Sequence, residues 1–345
     1  MEATRRPKGA HLVGSVPLGD VETVFRTVSS NLGKHLERMP DGELGARAVW
    51  IAWQYPVFAR LPGFEEVPPD PGAYVQRPRL RALKGTTIRQ PDLGPLGYAD
   101  AAKESFAVFR RLKSAGEIPG HMRFQVGLPC PLEPVIGMFT PESQEVIGPA
   151  YQGQLLDELQ RVLDAVPHDQ LAIQWEVVYQ LGVLEGEWTV YLPDPEKDIP
   201  SGLANLVDRV PESVQTGFHF CYGDSGHRHF KQPADAGTMV SVANGIVDRV
   251  KRPINWFHMP VPRDRKDQGY FAPLTTLNLP EAASLFLGLI HFTDGETGTL
   301  ERIRAASEVV DAFGVATECG LGRRPPETIP EILRIHQAVA DPPEV

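Results

Sequence analysis

His219 and Cys221 stand two apart in Gly217-Phe218-His219-Phe220-Cys221-Tyr222, a run that reads as a β-strand. Side chains alternate along a strand, so this imidazole and this thiol project to one face. With the distant thiol of Cys319 they supply three of the four ligands of a tetrahedral zinc ion. Three protein ligands and an open fourth position describe a catalytic metal rather than a structural one. His-x-Cys alone is a weak pattern, and a core cysteine beside a hydrogen-bonded histidine accounts for it equally. The chain has three cysteines, far apart and odd in number, which does not suggest a disulfide framework. The metal reading uses two of them, and Cys130, between two prolines, reads as structural.

Other polar residues cluster in short motifs. Asp224-Ser225-Gly226-His227-Arg228-His229-Phe230-Lys231 extends the His-x-Cys strand, and His227 and His229 are candidates for general acid or base, because imidazole titrates near neutral pH. A polar loop stapled by hydrogen bonds is the plainer reading. Asp41-Gly42-Glu43 places two carboxylates at a strand end, followed by Arg47. Asp294-Gly295-Glu296 repeats the pattern late in the chain, where Asp294 is a catalytic candidate and helix capping is the rival explanation.

These residues need elements to hold them. Strand-like runs at His11–Val16, 35–40, Met122–Leu128, Leu171–Val178, Gly217–Tyr222, Pro253–Met259, Ala282–Phe292 and Phe313–Cys319 alternate for the most part with helix-like segments. Asp20 caps a helix carrying Val21, Val24, Phe25, Val28 and Leu32 on one stripe and ended by Gly33. Leu155, Leu159, Val162 and Leu163 mark a long helix near 142–166. Leu300, Ile303, Ala306 and Val310 mark another. A proline-rich loop spans 192–200 before a short helix near 202–209, and Thr328-x-x-Glu331 reads as a capping box for the last helix. Such alternation implies a parallel sheet, and eight units favour a single (β/α)8 TIM barrel. The whole chain, 1–345, reads as one domain with an irregular, proline-rich excursion at 61–97 after the second strand. Active sites of such barrels lie at the C-terminal strand ends. Here that rim carries Ser15, Glu43, Gln125, Glu176, His219, Cys221, His258, Asp294 and Cys319.

Bulk composition narrows the partners. A net charge of −10, without a Lys/Arg-rich run, excludes nucleic acid and anionic membrane as natural partners. No apolar stretch reaches the roughly 20 residues of a membrane span. The opening Met1-Glu2-Ala3-Thr4-Arg5-Arg6-Pro7 has no secretory apolar run, so a cytoplasmic protein is expected.

Six segments, in order over residues 11–324, resemble the catalytic barrel of cobalamin-independent methionine synthase and its short single-barrel relatives in the uroporphyrinogen decarboxylase-like superfamily. Gly14-Ser15-Val16-Pro17 resembles that family's Gly-Ser-Phe-Pro, and Asp41-Gly42-Glu43 its His-Gly-Glu. Gln125-Val126-Gly127-Leu128-Pro129 resembles its third-strand Leu-Pro segment, and Ile173-Gln174-Trp175-Glu176 its Ile-Gln-Ile-Asp. His219-Phe220-Cys221 resembles its zinc-binding His-x-Cys, and Glu318-Cys319-Gly320-Leu321 its final Asp-Cys-Gly-Leu. The resemblance implies zinc on His219, Cys221 and Cys319. It implies Ser15 and Glu43 on the amino-acid part of a thiol substrate, Glu176 in the place of an amine-binding Asp, and Gln125 grouped with these substrate contacts. The family's third zinc ligand, a Glu after the sixth strand, is absent: Ile254-Asn255-Trp256-Phe257-His258-Met259-Pro260 offers His258 instead. The Glu-Pro that follows the family's Asp is replaced by Val177-Val178, which leaves the thiol substrate open.

The expected activity is therefore a zinc-dependent alkyl transferase, most simply a methyltransferase, that activates a small thiol as a zinc-bound thiolate. The alkyl donor is a methylated folate or another methyl donor, and the oligomeric state is open. One alternative keeps the barrel without metal, as a uroporphyrinogen decarboxylase-like lyase or a corrinoid-linked methyltransferase. Another is a metabolite-binding barrel without turnover.

Overall fold

The computed structural model describes residues 6–343; Met1 to Arg5, part of the segment behind the cytoplasmic expectation, lie outside the described residues. Among the described residues ten strands occur in chain order: β1 Ala10–His11, β2 Arg38–Pro40, β3 Phe64–Val67, β4 Arg79–Ala82, β5 Arg123–Pro129, β6 Leu171–Val177, β7 Gln215–Phe220, β8 Trp256–Pro260, β9 Ser284–Ile290 and β10 Gly314–Thr317. Eight form one sheet in the order β1-β10-β9-β8-β7-β6-β5-β2, every pair parallel. Its outer strands meet just beyond their ends, where Ser15 bridges Gly42 and the Val16 amide donates to the Gly42 carbonyl at 2.9 Å. The sheet is thus the nearly closed (β/α)8 barrel that the alternating pattern predicts.

Period-two alternation divides the core in two. In β6, Ala172, Gln174 and Glu176 point into the barrel, while Ile173, Trp175 and Val177 face the helices and are fully buried. The outer layer is one large apolar cluster between sheet and helices. Inside the barrel lies a separate cluster of Ala172, Trp256 and Phe286. Arg38 enters this floor with its guanidinium 4.3 Å from the Trp256 ring. The helix Val21–Leu32 shows how the outer layer forms. Asp20 accepts the Thr23 amide at its start, and Val24, Phe25, Val28 and Leu32 are wholly buried. Each such side chain contributes roughly 1.5–3 kcal/mol by leaving water.

Several expectations change. The excursion at 61–97 is not wholly irregular: β3 and β4 form an antiparallel hairpin with Glu65 opposite Arg81, and a short helix covers Gln90–Leu93. The proline-rich stretch at 192–200 is largely helix, Pro195–Val207, because Asp194 caps it and a proline at the first helical position forfeits no bond. Leu300 is 44% exposed and off the buried stripe of its helix. The capping box at Thr328 does not form. A 3-10 turn, Pro326–Thr328, leaves Thr328 with helical backbone angles, whereas capping needs an extended residue. Its hydroxyl donates to the Pro325 carbonyl instead, and Glu331 pairs with Arg334. Among the described residues no helix is long and apolar enough to cross a membrane.

Candidate metal centre

Register brings the chemistry together. His219 on β7 is level with Glu176 on β6 and with His258 on β8. Cys221 lies one residue beyond β7, yet its amide still donates to the Val177 carbonyl at 3.0 Å, so the alternation carries on and its sulfur faces the barrel mouth. Cys319, two residues beyond β10, arrives by a different device. The loop after it is pinned to the first strand segment, the Leu321 amide donating to the Ser15 carbonyl at 2.7 Å and the Gly322 amide to Ser15 Oγ at 3.1 Å. The ligand atoms of His219, Cys221 and Cys319 lie within 4.8 Å of one another and can hold a metal ion. The two sulfurs are 3.7 Å apart. A disulfide needs about 2.0 Å. Tetrahedral zinc with bonds of about 2.3 Å sets its sulfurs about 3.8 Å apart, so the donor set fits zinc.

Hydrogen bonds select the ligating nitrogen. His258 Nε2 is 3.0 Å from the Thr317 carbonyl, which can only accept, so that nitrogen carries the proton. Burial pushes His258 down to about 3, and burial, then His258 and His11, push His219 well below the usual imidazole range, so both rings are neutral. His258 Nδ1 is therefore bare and accepts from His219 Nδ1 at 2.6 Å. The lone pair of His219 Nε2 is left facing the cup. Both nitrogens of His258 are engaged here, and the group of ligand atoms that could hold a metal comprises His219, Cys221 and Cys319 without it.

Two glutamates share the mouth. Gly42 at φ 86° and Glu43 at φ 48° turn the Glu43 side chain inward, and Asp41 braces the turn by accepting the Glu43 amide and the Arg47 guanidinium. A Cβ on Gly127 would lie 3.0 Å from a Glu43 oxygen and 3.3 Å from a Glu176 oxygen, so the bare glycine is where the two acids converge. Withdrawal from water, then Asp41, raise Glu43 to about 7. Burial, then Glu43, raise Glu176 well above the carboxylate range. Contact with Cys319, then burial, push the Cys221 thiol up.

Ser15, Glu43, Glu176, His219, Cys221 and Cys319 line one cup of about 60 Å³. The remaining candidates lie elsewhere. Gln125 laces the barrel interior, its amide donating to the Leu12 and Val13 carbonyls. His227 is half exposed, 3.7 Å from Asp224. His229 and His291 flank the Glu318 carboxylate at 3.1 and 3.3 Å. Asp294 is held by both terminal nitrogens of buried Arg302 at 2.7 and 2.8 Å. Sequence reading missed Trp50 and Arg323, which also line the cup. It missed Gln174 as well, whose amide donates to Glu176 Oε1 at 2.7 Å. A cleft of about 540 Å³ adjoins the cup, walled by Tyr74, Arg77, Tyr179, Trp188 and Phe230. Trp50 stacks on Tyr179 between the two hollows.

No family profile matches the chain, and no curated protein does. Solved structures do. One, from Listeria monocytogenes and provisionally named a vitamin-B12-independent methionine synthase, superposes with a TM-score of 0.55 over 98% of this chain and 100% of that one, at 15% identity. Another, a B12-independent methionine synthase from a Shewanella species in complex with selenomethionine, gives 0.53 over 97% and 96%, at 13% identity. The likeness is one of fold.

Proposed function

We propose that the chain is a zinc-dependent alkyl transferase, most simply a methyltransferase, acting on a small amino-acid thiol. The observation that carries this reading is the His219, Cys221 and Cys319 trio at the barrel mouth, with its sulfurs 3.7 Å apart. Zinc bound there would lower the pKa of an incoming thiol, so that it is deprotonated near neutral pH yet still nucleophilic. His258 fixes the tautomer that aims His219 Nε2 into the cup. Ser15 and Glu43 hold the amino-acid part, Glu43 as the ionised partner of an ammonium group. The adjoining cleft suits the donor: its rings offer stacking faces, and Arg77, with no carboxylate partner among the described residues, suits an anionic tail such as that of a methylated folate. That the Shewanella protein holds selenomethionine, a selenoether amino acid, supports a substrate of this kind. No step falls to His227, His229 or Asp294, which lie outside the cup.

The metal-free alternative has less support. It needs arginines for substrate carboxylates, and Arg323 is the one arginine among the described cup-lining residues, engaged by Asp224 at 3.1 Å. The test is elemental analysis of the purified protein beside Cys221→Ser, with methyl transfer to a panel of thiols followed before and after chelation. Stoichiometric zinc, lost in the variant together with activity, is the expected result; full activity in metal-free protein ends the reading.

A further inference from the structure

The zinc reading supplies three ligands, and the carboxylate that the resembling family places after the sixth strand has no counterpart between Ile254 and Pro260. We propose that Glu176 is the fourth ligand: its Oε2, facing His219 Nε2, closes a His-Cys-Cys-Glu site built from β6, β7 and the loop after β10. The proposal rests on the zinc reading and goes beyond it by assigning Glu176 to the metal of the resting site, where an incoming thiol would displace it, instead of to a substrate amine.

Geometry carries the assignment. Glu176 Oε2 lies 3.7 Å from His219 Nε2. The hydrogen bonds around His258 leave that nitrogen without a proton, so its lone pair faces Glu176 Oε2 across this gap. The distance is too long for a hydrogen bond, which closes at about 3.2 Å. Two ligands of one tetrahedral zinc, with bonds of about 2.0–2.2 Å, stand about 3.4 Å apart, so the Glu176–His219 gap is within a few tenths of an ångström of a shared ion, and the carboxylate swings further to join the Cys221 and Cys319 sulfurs, with which it is not yet grouped. The orientation is built in. Gln174 donates to Glu176 Oε1 at 2.7 Å and to the Val13 carbonyl at 2.6 Å, and its own oxygen meets His11 Nε2 at 2.7 Å. Gln174 is therefore locked, and Oε2 is the oxygen turned to His219.

Glu176 is also uncommitted, since among the described residues no Lys or Arg lies within ion-pair distance of it. A Glu where the resembling family carries Asp adds the methylene that gives this reach. Glu43, a second glutamate of the cup, abuts Gly14 and Gly127 and has no ion pair with His219, so it is the internal control.

The experiment measures zinc affinity by competition with a chromophoric chelator, for the unaltered chain, Glu176→Gln and Glu43→Gln. Folding is checked by circular dichroism, and the Co²⁺-substituted forms are read by their visible spectra. Loss of an outer-shell partner costs about 10–100-fold in metal affinity. Losing a ligand is expected to cost about 100-fold or more in Glu176→Gln, with a changed Co²⁺ spectrum, while Glu43→Gln, which removes the like charge beside Glu176, leaves binding at least as tight as in the parent. A zinc-soaked crystal of the unaltered chain needs no variant, and is expected to place Oε2 about 2.0–2.2 Å from the ion. Parent-like affinity and spectrum in Glu176→Gln, or water in the fourth position of that crystal, overturns the proposal and leaves the zinc reading standing. An unaltered chain that takes up no zinc overturns both.

Discussion

The tripeptide Asp-Gly-Glu occurs at the ends of β2 and β9, and the two copies share two of their three roles. In each, the glycine has positive φ, 86° at Gly42 and 59° at Gly295. In each, the aspartate clamps the turn to an arginine downstream, Asp41 to Arg47 at 2.7 and 3.2 Å and Asp294 to Arg302 at 2.7 and 2.8 Å. The glutamates part company. After β2 the chain enters the 3-10 stretch Gly45–Gln54, and Glu43, itself at φ 48°, turns into the barrel mouth. After β9 the helix Gly295–Ser307 begins at the glycine of the motif itself, and Glu296 takes its first turn, half-buried and 3.1 Å from Arg334. An acidic motif at a barrel rim is thus a structural clamp by default. The backbone of its third residue decides whether it also serves the site.

The largest effect that can break this contrast is on the metal itself. If the β2 copy faces a zinc cup, chelation or Cys221→Ser lowers methyl transfer by at least about 10³-fold, the range in which removing a central catalytic group falls. Zinc added back restores the chelated protein alone. Restoration by zinc in Cys221→Ser would detach the cup from the chemistry.

Glu43→Gln comes next. Losing a charge-assisted contact to an ammonium group costs about 1.5–3 kcal/mol, roughly 10–100-fold in kcat/KM, and most of it is expected in KM. Acid and base are distinguishable here. Because Glu43 is raised to about 7, it is neutral below that pH, and KM for an amino-acid thiol rises as pH falls through 7. Glu43→Gln removes that limb. The folded state holds the extra proton between about 4.5 and 7, so this group's contribution to stability is lost as pH rises across the window. The variant is therefore expected to melt about 2–4 °C higher than the parent at pH 8. A lower melting point there would assign Glu43 to structure.

The aspartates answer in stability. Asp294→Asn strands the fully buried Arg302 and is expected to cost about 3–5 kcal/mol in denaturant unfolding, with zinc content unchanged. Asp41→Asn behaves similarly, since Arg47 and the Ser105 hydroxyl both rely on that carboxylate. Lost activity in Asp294→Asn at full stability would return Asp294 to the catalytic list.

The barrel was legible because β6 and the Val21–Leu32 helix carry clean periods of 2 and 3.6, with Asp20 in place as a cap. His219, Cys221 and Cys319 were legible because strand parity and the rim position need no side-chain detail. The surroundings of His258 were not legible in sequence: it is level with His219, but only the Thr317 carbonyl behind it engages its second nitrogen. Gln125 and Gln174 show the same limit. Both point into the barrel, yet one binds the carbonyls of Leu12 and Val13 while the other aims Glu176. Trp50 reaches the cup from a 3-10 stretch with non-helical angles of φ 51° and ψ −131°, which no periodicity announces.

The smallest expected effect is the sharpest check on the comparison. Glu296 repeats Glu43 in sequence, so a reading from motif alone predicts equal losses on neutralising either. The structure gives Glu296 an exposed pair with Arg334, and such pairs contribute about 0–1 kcal/mol. Its place in the first helical turn adds a few tenths through the helix dipole. Glu296→Gln should therefore lower stability by less than about 1 kcal/mol, a cost that shrinks in high salt, because exposed charges are screened within about 10 Å at 0.1 M. Its kcat/KM, zinc content and pH profile should match the parent's. A pH limb that moves in Glu296→Gln would mean that the β9 copy reaches the site in solution, and the distinction between the two glutamates would fall with it.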